Sequence, residues 1–377
     1  MPSEGSFHKL VRSKSRSDVL LVVFSHAADR PPKFSLYDTA IATGANVLFL
    51  NDELGSWYTG GIPSLGSTHS QVVMAIDSMA TLCGATKIIC LGASMGGYGA
   101  IRFARSLGAQ SCLATDFEIR LGVLGSRSAS MGGISYGSYM SDISQLVPDS
   151  AYLLHSKSDI FDVYSASLVP QESGANLFGV SSQKHASILK MKSEGVLDAV
   201  LSDLVSGIKP NLPYESSSWM QSRQYSDVFF MIHCLYESSA YLELNEYIDS
   251  LPSLIRDLPI VLFMQSMSLY RSGEISGAKD VMVRASSVAG EWSEPLSMLG
   301  VFSFRMGEDL LAIDYLRQSI DAGSVNSIVW NQLGDVYFKI KDYPSALDAY
   351  NQAGKINPGV VAYKKAIQRV TQLISKT

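Results

Sequence analysis

Charged side chains are scarce in this sequence, and neither sign of charge dominates. Asp, Glu, Lys and Arg make up 17% of the 377 residues, and 30 basic against 35 acidic residues give a net charge of −5. Without a basic excess there is no electrostatic reason to expect nucleic acid or an anionic membrane surface as a partner. Hydrophobic residues nevertheless reach 46%, which suffices for folded cores, and the chain length favours two domains.

Cysteines and long hydrophobic runs are also lacking. The four cysteines form no CxxC pair and no Cys/His cluster with the spacing of a zinc site, so we expect free thiols and no metal. The longest apolar runs, such as residues 19–24, have the length of a strand and cannot span a bilayer. The first 18 residues contain no apolar signal-peptide core. These absences predict a soluble, cytoplasmic protein without a membrane span.

The first half of the sequence, residues 18–207, has the pattern of an α/β domain. Short, nearly continuous apolar runs alternate with helical stretches, which is typical of parallel strands covered on both faces. The predicted strands are 19–25, 46–51, 87–92, 111–115, 151–156 and 176–181. This pattern predicts a doubly wound, mostly parallel sheet. Residues 1–17 are expected to form a polar N-terminal tail, and the Pro- and Ser-rich segment 208–222 a linker.

The second half, residues 223–377, has only amphipathic helical patterns. Within it, a W-x2-L-G-x2-Y … A-x3-F … P pattern, with Tyr in place of Phe, is formed by Trp330, Leu333, Gly334, Tyr337, Ala346, Tyr350, Ala353 and Pro358. This pattern resembles a tetratricopeptide repeat (TPR), and weaker copies precede it at the same period. The resemblance implies an all-α repeat domain that binds a partner protein or self-associates, with residues 361–375 as its capping helix.

The chemistry is expected in the first half, at Gly92-Ala93-Ser94-Met95-Gly96. These residues match G-x-S-x-G between a predicted strand and a predicted helix, which is the context that this motif requires. There, a sharp turn exposes a serine hydroxyl and directs a helix N-terminus at it, favouring a developing negative charge. We therefore interpret Ser94 as a nucleophile.

A nucleophilic serine needs a base, and the base needs an acid that orients it. Asp159 follows the predicted strand 151–156, and His185 follows the last predicted strand, 176–181. No other histidine falls in a loop after that last strand. Asp162 competes for the role of acid, but Asp159 lies nearer the end of its strand and is preferred.

The nucleophile turn, the strand spacing and the order Ser94, Asp159, His185 together resemble the α/β-hydrolase superfamily. The resemblance implies an oxyanion hole made by the backbone N–H of Met95 and a second N–H from the loop after the first strand, here Ala27 or Ala28. His26 occupies a position at which many members have a histidine, and it either contacts substrate or braces the loop.

Two segments bear on the substrate. The stretch 121–142 is rich in Gly, Ser and Tyr instead of the bulky aliphatic residues of a lipase lid, which suits a polar substrate. The loop 51–58 places carboxylates beside Trp57 and Tyr58, which either bind a sugar ring or merely pack the loop onto the sheet.

These features predict a serine esterase or deacylase that acts through an acyl-enzyme, without an organic cofactor, on a small-molecule or polysaccharide ester. Esterase-like domains joined to helical repeats resemble proteins of bacterial surface-polysaccharide biosynthesis, which is one context for this activity. An O-acyltransferase could use the same triad to acylate a sugar. A third alternative is a non-catalytic TPR scaffold with a relic hydrolase domain.

Overall fold

The structure is a computed structural model, and it describes residues 4–5, 7–52, 55–132, 142–182, 184–324 and 326–375. The chain divides into two compact units, residues 1–237 and 238–377. Across the described ranges, no helix combines the length and the apolar character needed to cross a membrane.

The first unit is built on one sheet with the order β1-β2-β4-β3-β5-β6-β7-β8-β9. The strands β3 to β8 are parallel to their neighbours within that group, whereas β1, β2 and β9 pair antiparallel. Their bounds are β1 Glu4–Gly5, β2 His8–Val11, β3 Val19–Phe24, β4 Asn46–Leu50, β5 Lys87–Ala93, β6 Ser111–Thr115, β7 Ala151–Ser156, β8 Asn176–Val180 and β9 Glu215–Ser216.

The six predicted strands are all present, as β3 to β8, and each bound agrees with the prediction to within one residue. The sequence signal was strong because these strands are covered on both faces; every residue of β3, β4 and β7 is buried. Since the strands are parallel, their carboxyl ends meet at one edge of the sheet, where the loops of an open α/β fold form binding sites.

The sheet extends further than the sequence predicts at both edges. The predicted N-terminal tail, residues 1–17, contains β1 and β2, and β2 pairs with β4 through alternately buried residues that include His8 and Leu10. The predicted linker, residues 208–222, contains β9. Strands of two to four residues give too short a pattern to be recognised from sequence.

The helices of the first unit are α1 Tyr37–Ala42, α2 His69–Cys83, α3 Met95–Ala104, α4 Arg127–Gly132, α5 Ile160–Ser167, α6 Ser187–Ser193, α7 Val196–Val205 and α8 Arg223–Glu237. Helix α8, which the sequence assigns to the repeat domain, belongs to this unit. Its His233 ring lies 5.0 Å from the ring of Phe161 in α5, and His233 Nε2 lies 2.6 Å from the carbonyl oxygen of Leu124. The boundary between the units therefore lies after Glu237 instead of at residue 222.

In the described residues the second unit consists of helices, which pack against one another mainly in three successive pairs. Its helices are α9 Tyr241–Ser250, α10 Ser253–Arg256, α11 Pro259–Arg271, α12 Ile275–Val288, α13 Glu294–Arg305, α14 Asp309–Asp321, α15 Ser327–Lys339, α16 Tyr343–Ile356 and α17 Val361–Ile374. Leu333, Ala346 and Tyr350, three of the repeat-signature residues, are buried in the core of α14 to α17. The helical repeats predicted for this region are therefore confirmed.

Gly334 shows why the repeat signature requires a small residue. A Cβ atom at this position would lie 2.6 Å from carbons of the Tyr350 ring, whose hydroxyl donates to Asp335 Oδ1 at 2.7 Å. At Gly354, in the facing helix, a Cβ would meet only Ile367 Cδ1, at 3.6 Å. The two glycines therefore differ in the space that surrounds them while both lie within helices.

We expect Gly334→Ala to be less stable than Gly354→Ala by about 1–3 kcal/mol, the usual cost of overpacking. Both variants gain the same helix propensity, roughly 1 kcal/mol relative to glycine, so their difference isolates the steric contact. Urea unfolding of the full chain, followed by far-UV circular dichroism, measures it. Equal stability of the two variants would show that the contact between α15 and α16 is not tight.

Candidate active site

The turn between β5 and α3 holds Ser94 in an unusual backbone conformation. Its φ of 57° and ψ of −123° lie outside the regions that non-glycine residues ordinarily adopt. Such strain persists only where the surrounding structure enforces it, and it is concentrated at functional sites. Ser94 precedes the first turn of α3, and its side chain makes no capping hydrogen bond to that helix.

Close backbone contacts enforce this turn. A Cβ atom on Gly92 would lie 2.0 Å from the carbonyl oxygen of Gly96, and a Cβ on Gly96 would lie 2.1 Å from that of Phe24. Both positions therefore require glycine. The second contact also places the start of α3 directly against the end of β3, where the loop of residues 25–28 begins.

Two backbone N–H groups at this junction are available to bind an oxyanion. In the described part of the chain, neither the Met95 N–H nor the Ala27 N–H donates a hydrogen bond. The N–H of Ala28, the other predicted donor, is engaged because it donates to His26 Nδ1 at 3.1 Å. Ala27 is therefore the better second donor.

His26 braces this loop. Besides accepting from Ala28, its ring contacts Asp29, with 3.2 Å between Nε2 and Oδ2, and its own N–H donates to Ser35 Oγ at 3.0 Å. Both ring nitrogens of His26 are thus used within the loop. This geometry favours the bracing role over the substrate contact.

The structure joins His185 to Asp162 instead of to the preferred acid, Asp159. His185 Nδ1 lies 2.8 Å from Asp162 Oδ1, and Asp162 is 1% exposed. Asp159 instead caps α5, where its Oδ1 accepts from the N–H groups of Phe161 and Asp162. Because a residue directly before a helix serves best as its cap, the role of acid passes to the residue one turn later. Asp162 therefore replaces Asp159 as the candidate acid.

The remaining nitrogen of His185 is available for proton transfer. His185 Nε2 is buried and has no hydrogen-bond partner among the described residues, so no such bond joins it to Ser94 Oγ in this structure. Catalytic hydrogen bonds are often long before substrate binds and tighten in the complex. Where Asp162 is ionised it can only accept a hydrogen bond, so the proton lies on Nδ1 and leaves Nε2 as the base.

A largely buried charged cluster that the sequence did not predict surrounds His185. It contains Asp116, Glu118 and Arg127 in addition to Asp159 and Asp162. Asp116 and Glu118 directly follow β6, and the meeting of parallel strand ends at one edge is the signal that could have identified them.

Burial governs the ionisation of this cluster. It raises the pKa of Asp116 to about 7, with a further contribution from the Asp162 charge. Burial also raises the pKa of Asp162, against which the Arg127 guanidinium, 3.8 Å from its Oδ1, stabilises the ionised form. Burial would raise the pKa of Asp159 too, but Arg127 and His185 hold it below its ordinary value.

Three members of this cluster, Asp116, Asp162 and His185, have ligand atoms within 4.8 Å of one another and could hold a metal ion. Both oxygens of Asp116 already accept hydrogen bonds from Ser187. Asp162 Oδ1 and His185 Nδ1 are bonded to each other. A metal ion that used all three residues would have to displace at least one of these hydrogen bonds.

The pKa of His185 predicts how activity should depend on pH. Burial lowers it below the ordinary value of 6.5; Asp116, Asp159 and Glu118 oppose this and Arg127 adds to it. Because only neutral imidazole accepts a proton, we expect kcat/KM for p-nitrophenyl acetate to fall on acidification with a midpoint below pH 6.5. Well below this midpoint, kcat/KM should vary inversely with the proton concentration. A pH–rate profile measures this midpoint, and one above 6.5 would exclude His185, in this environment, as the base.

The two aromatic residues proposed to bind substrate are fully buried. The Tyr58 hydroxyl donates to the carbonyl oxygens of Ser25 and Leu50, at 2.9 and 3.2 Å, and its ring packs edge-on against Phe24. Trp57 is 0% exposed, and its Nε1 has no hydrogen-bond partner in the described ranges. Tyr58 therefore acts as a structural residue that ties its own loop to the ends of β3 and β4. Neither the Trp57 ring nor the Tyr58 ring offers a face on which a sugar could stack.

Part of the segment predicted to favour a polar substrate, residues 133–141, lies outside the described residues. The same holds for residues 53–54 of the loop that carries Trp57. The polar-substrate prediction for these segments stays a prediction.

Comparison with known proteins identifies one repeat. The tetratricopeptide-repeat family profile matches residues 327–360. A search of curated protein sequences finds no match.

Several solved helical-repeat structures are similar to part of the chain. MamA from Desulfovibrio magneticus RS-1 is 13% identical, with a TM-score of 0.36 over 41% of this chain and 93% of that one. The TPR domain of Sgt2 from Aspergillus fumigatus is 22% identical, with a TM-score of 0.30 over 31% and 80%. The chain thus contains a tetratricopeptide repeat at residues 327–360, in a region of TPR-like helices that follows a mixed α/β region.

Proposed function

We propose that the first unit is a serine hydrolase of the α/β-hydrolase type that cleaves a carboxylic ester through an acyl-enzyme. The observation that carries this proposal is the strained backbone of Ser94 between two glycines that cannot be replaced. Such a turn is costly to form, and its effect is to present one hydroxyl at the carboxyl edge of the sheet. The contact of His185 with Asp162 supports it independently.

The geometry suits the first half-reaction as follows. His185 Nε2 takes the Ser94 hydroxyl proton while Oγ attacks the ester carbonyl carbon, and Asp162 stabilises the imidazolium that forms. The N–H groups of Met95 and Ala27 bind the oxyanion of the tetrahedral intermediate. When this intermediate collapses, the carbon–oxygen bond to the alcohol breaks and His185 gives its proton to the leaving oxygen.

The second half-reaction repeats these steps with water. His185 removes a proton from water, the resulting oxygen nucleophile attacks the acyl carbon, and Ser94 Oγ leaves and recovers its proton from His185. The products are a carboxylic acid and the free enzyme. If a sugar hydroxyl replaced water in this step, the same residues would perform acyl transfer.

The tetratricopeptide repeats are interaction units, and we propose that they bind a partner protein or a second copy of the chain. This role does not depend on the hydrolase. A protein that used only the repeats would be a scaffold, and reactivity of Ser94 distinguishes the two.

A fluorophosphonate probe tests the reactivity of Ser94 without knowledge of the natural ester. We expect the full chain to take up one equivalent and peptide mapping to locate the phosphonyl group on Ser94. Heat-denatured protein should not react. Ser94→Ala should remain unlabelled while retaining the wild-type circular dichroism spectrum. Failure of the folded wild type to react would favour the scaffold.

A further inference from the structure

Thr115 and Asp116, at the end of β6, contact both the turn that holds Ser94 and the segment that follows His185. The backbone N–H of Ser94 donates to the carbonyl oxygen of Thr115 at 2.9 Å. The carboxylate of Asp116 accepts two hydrogen bonds from Ser187, from its N–H at 2.8 Å and from its Oγ at 2.5 Å. Ser187 lies two residues after His185. One dipeptide thus ties the nucleophile turn to the loop that carries the base.

Asp116 is held rigidly in this position. It is 1% exposed, and its N–H donates to the carbonyl oxygen of Leu154 in β7 at 2.8 Å. Its φ of 48° lies in the left-handed region, which a residue other than glycine adopts at a cost. A buried carboxylate is also costly unless its oxygens are hydrogen-bonded. Ser187, itself fully buried, provides these hydrogen bonds.

Asp116 also lies close to Asp162 and His185, but it takes the place of neither in the proposed reaction. A ligand oxygen of Asp116, one of Asp162 and a ring nitrogen of His185 all lie within 4.8 Å of one another. The direct bond of His185 Nδ1 is nevertheless to Asp162. The two oxygens of Asp116 are directed to Ser187, so its contact with the base runs through the loop.

We infer that Asp116 is a positioning residue which, through Ser187, fixes His185 against the strand end that holds Ser94. The inference rests on the proposed serine-hydrolase function and adds a residue to it. The two hydrogen bonds from Ser187 to Asp116 form the tether. Because proton transfer depends on a placement accurate to a fraction of an ångström, loss of this tether should affect kcat more than KM.

The same unit contains a matched control for this tether. Glu118 is also buried, and it too accepts from the N–H and the Oγ of one serine, Ser128, at 3.1 and 2.5 Å. That tether holds the segment at the start of α4 instead of the His185 loop. Glu118→Gln therefore changes a buried charged group that also acts on His185 and weakens hydrogen bonds to a different segment, so comparison with it separates a change of charge near His185 from the loss of the hydrogen bonds between Asp116 and Ser187.

The test compares Asp116→Asn, Ser187→Ala and Glu118→Gln with the wild type, using p-nitrophenyl acetate as the substrate. We expect Asp116→Asn to lower kcat on the order of 10²-fold with little change in KM. Ser187→Ala should also lower kcat but leave the midpoint of the acidic limb in place. Asp116→Asn should likewise move that midpoint little, because Asp116, whose pKa is raised to about 7, is already mostly protonated below pH 6.5. Glu118→Gln, which changes a charge that also acts on His185, should lower kcat less than Asp116→Asn does.

A second readout keeps the inference separate from the proposed function. In the wild type and in Glu118→Gln, we expect a low-field NMR signal from the His185 Nδ1 proton, assigned by its absence in His185→Gln. It should weaken or vanish in Asp116→Asn and in Ser187→Ala. If the NMR signals of the wild type and the three variants follow this pattern but the wild type does not hydrolyse the ester, the proposed serine-hydrolase function is wrong and the positioning role of Asp116 stands. An unchanged signal and unchanged kcat in both tether variants would overturn the inference, and Ser187→Ala decides it if Asp116→Asn does not fold.

Discussion

Ser94→Ala should lower the rate constant for hydrolysis of p-nitrophenyl acetate on the order of 10⁶-fold, as removal of a triad nucleophile does in a well-studied serine protease. The physical reason is that no neighbouring group can replace Ser94: its hydroxyl alone is presented by the turn between Gly92 and Gly96. Alanine has no oxygen to attack the ester, while the N–H groups that bind the oxyanion stay in place. A small residual rate is therefore expected.

Ser78→Ala is the matched control for this experiment. Ser78 is an exposed residue of α2, and among the described residues its hydroxyl hydrogen-bonds only to the carbonyl oxygen of Met74. This variant should hydrolyse the ester at the wild-type rate. Steady-state release of p-nitrophenol measures both variants. Rates for Ser94→Ala within threefold of the wild type would show that the hydrolysis does not use this serine.

Asp162→Asn should lower kcat on the order of 10⁴-fold, because an amide in place of the acid favours the wrong tautomer of the catalytic histidine. The amide nitrogen introduced by this substitution would donate to Nδ1 of His185, placing the ring proton on Nε2, where the base must be free. Loss of the negative charge also removes what stabilises the imidazolium. The distance of 2.8 Å between His185 Nδ1 and Asp162 Oδ1 makes this effect direct.

Asp159→Asn discriminates between the two candidate acids. Asparagine caps a helix about as well as aspartate does, so the stability of α5 should be kept. Since Asp159 makes no hydrogen bond to His185 in the described structure, we expect kcat to fall less than about tenfold, through the altered charge beside Arg127. A larger loss for Asp159→Asn than for Asp162→Asn would return the role of acid to Asp159.

The strands and the nucleophile turn were predictable because their signals are local. Continuous apolar runs mark strands buried on both faces, and G-x-S-x-G is readable where the backbone needs glycine on both sides of one residue. The repeat at residues 327–360 was readable for a similar reason, since Gly334 and Tyr350 meet at a fixed spacing.

The choice of acid was not predictable from proximity to a strand end. Asp159 and Asp162 are three residues apart, and the start of a helix between them turns one into a cap and the other toward His185. Asp116 was missed because its role depends on Ser187, 71 residues away in the sequence. Trp57 and Tyr58 lie in a loop where sequence cannot separate an exposed ring from a buried one; both proved buried.

Mass analysis of the protein, quenched with acid during turnover of p-nitrophenyl acetate, shows whether Ser94 is the nucleophile. Covalent catalysis by Ser94 requires that the acetyl group be attached to the enzyme between the two half-reactions. We expect a protein species heavier by one acetyl group, with peptide mapping that places the ester on Ser94, and no such species in Ser94→Ala. Sustained hydrolysis by the wild type with the acetyl group on another residue, or with the same acetylation in Ser94→Ala, would contradict it.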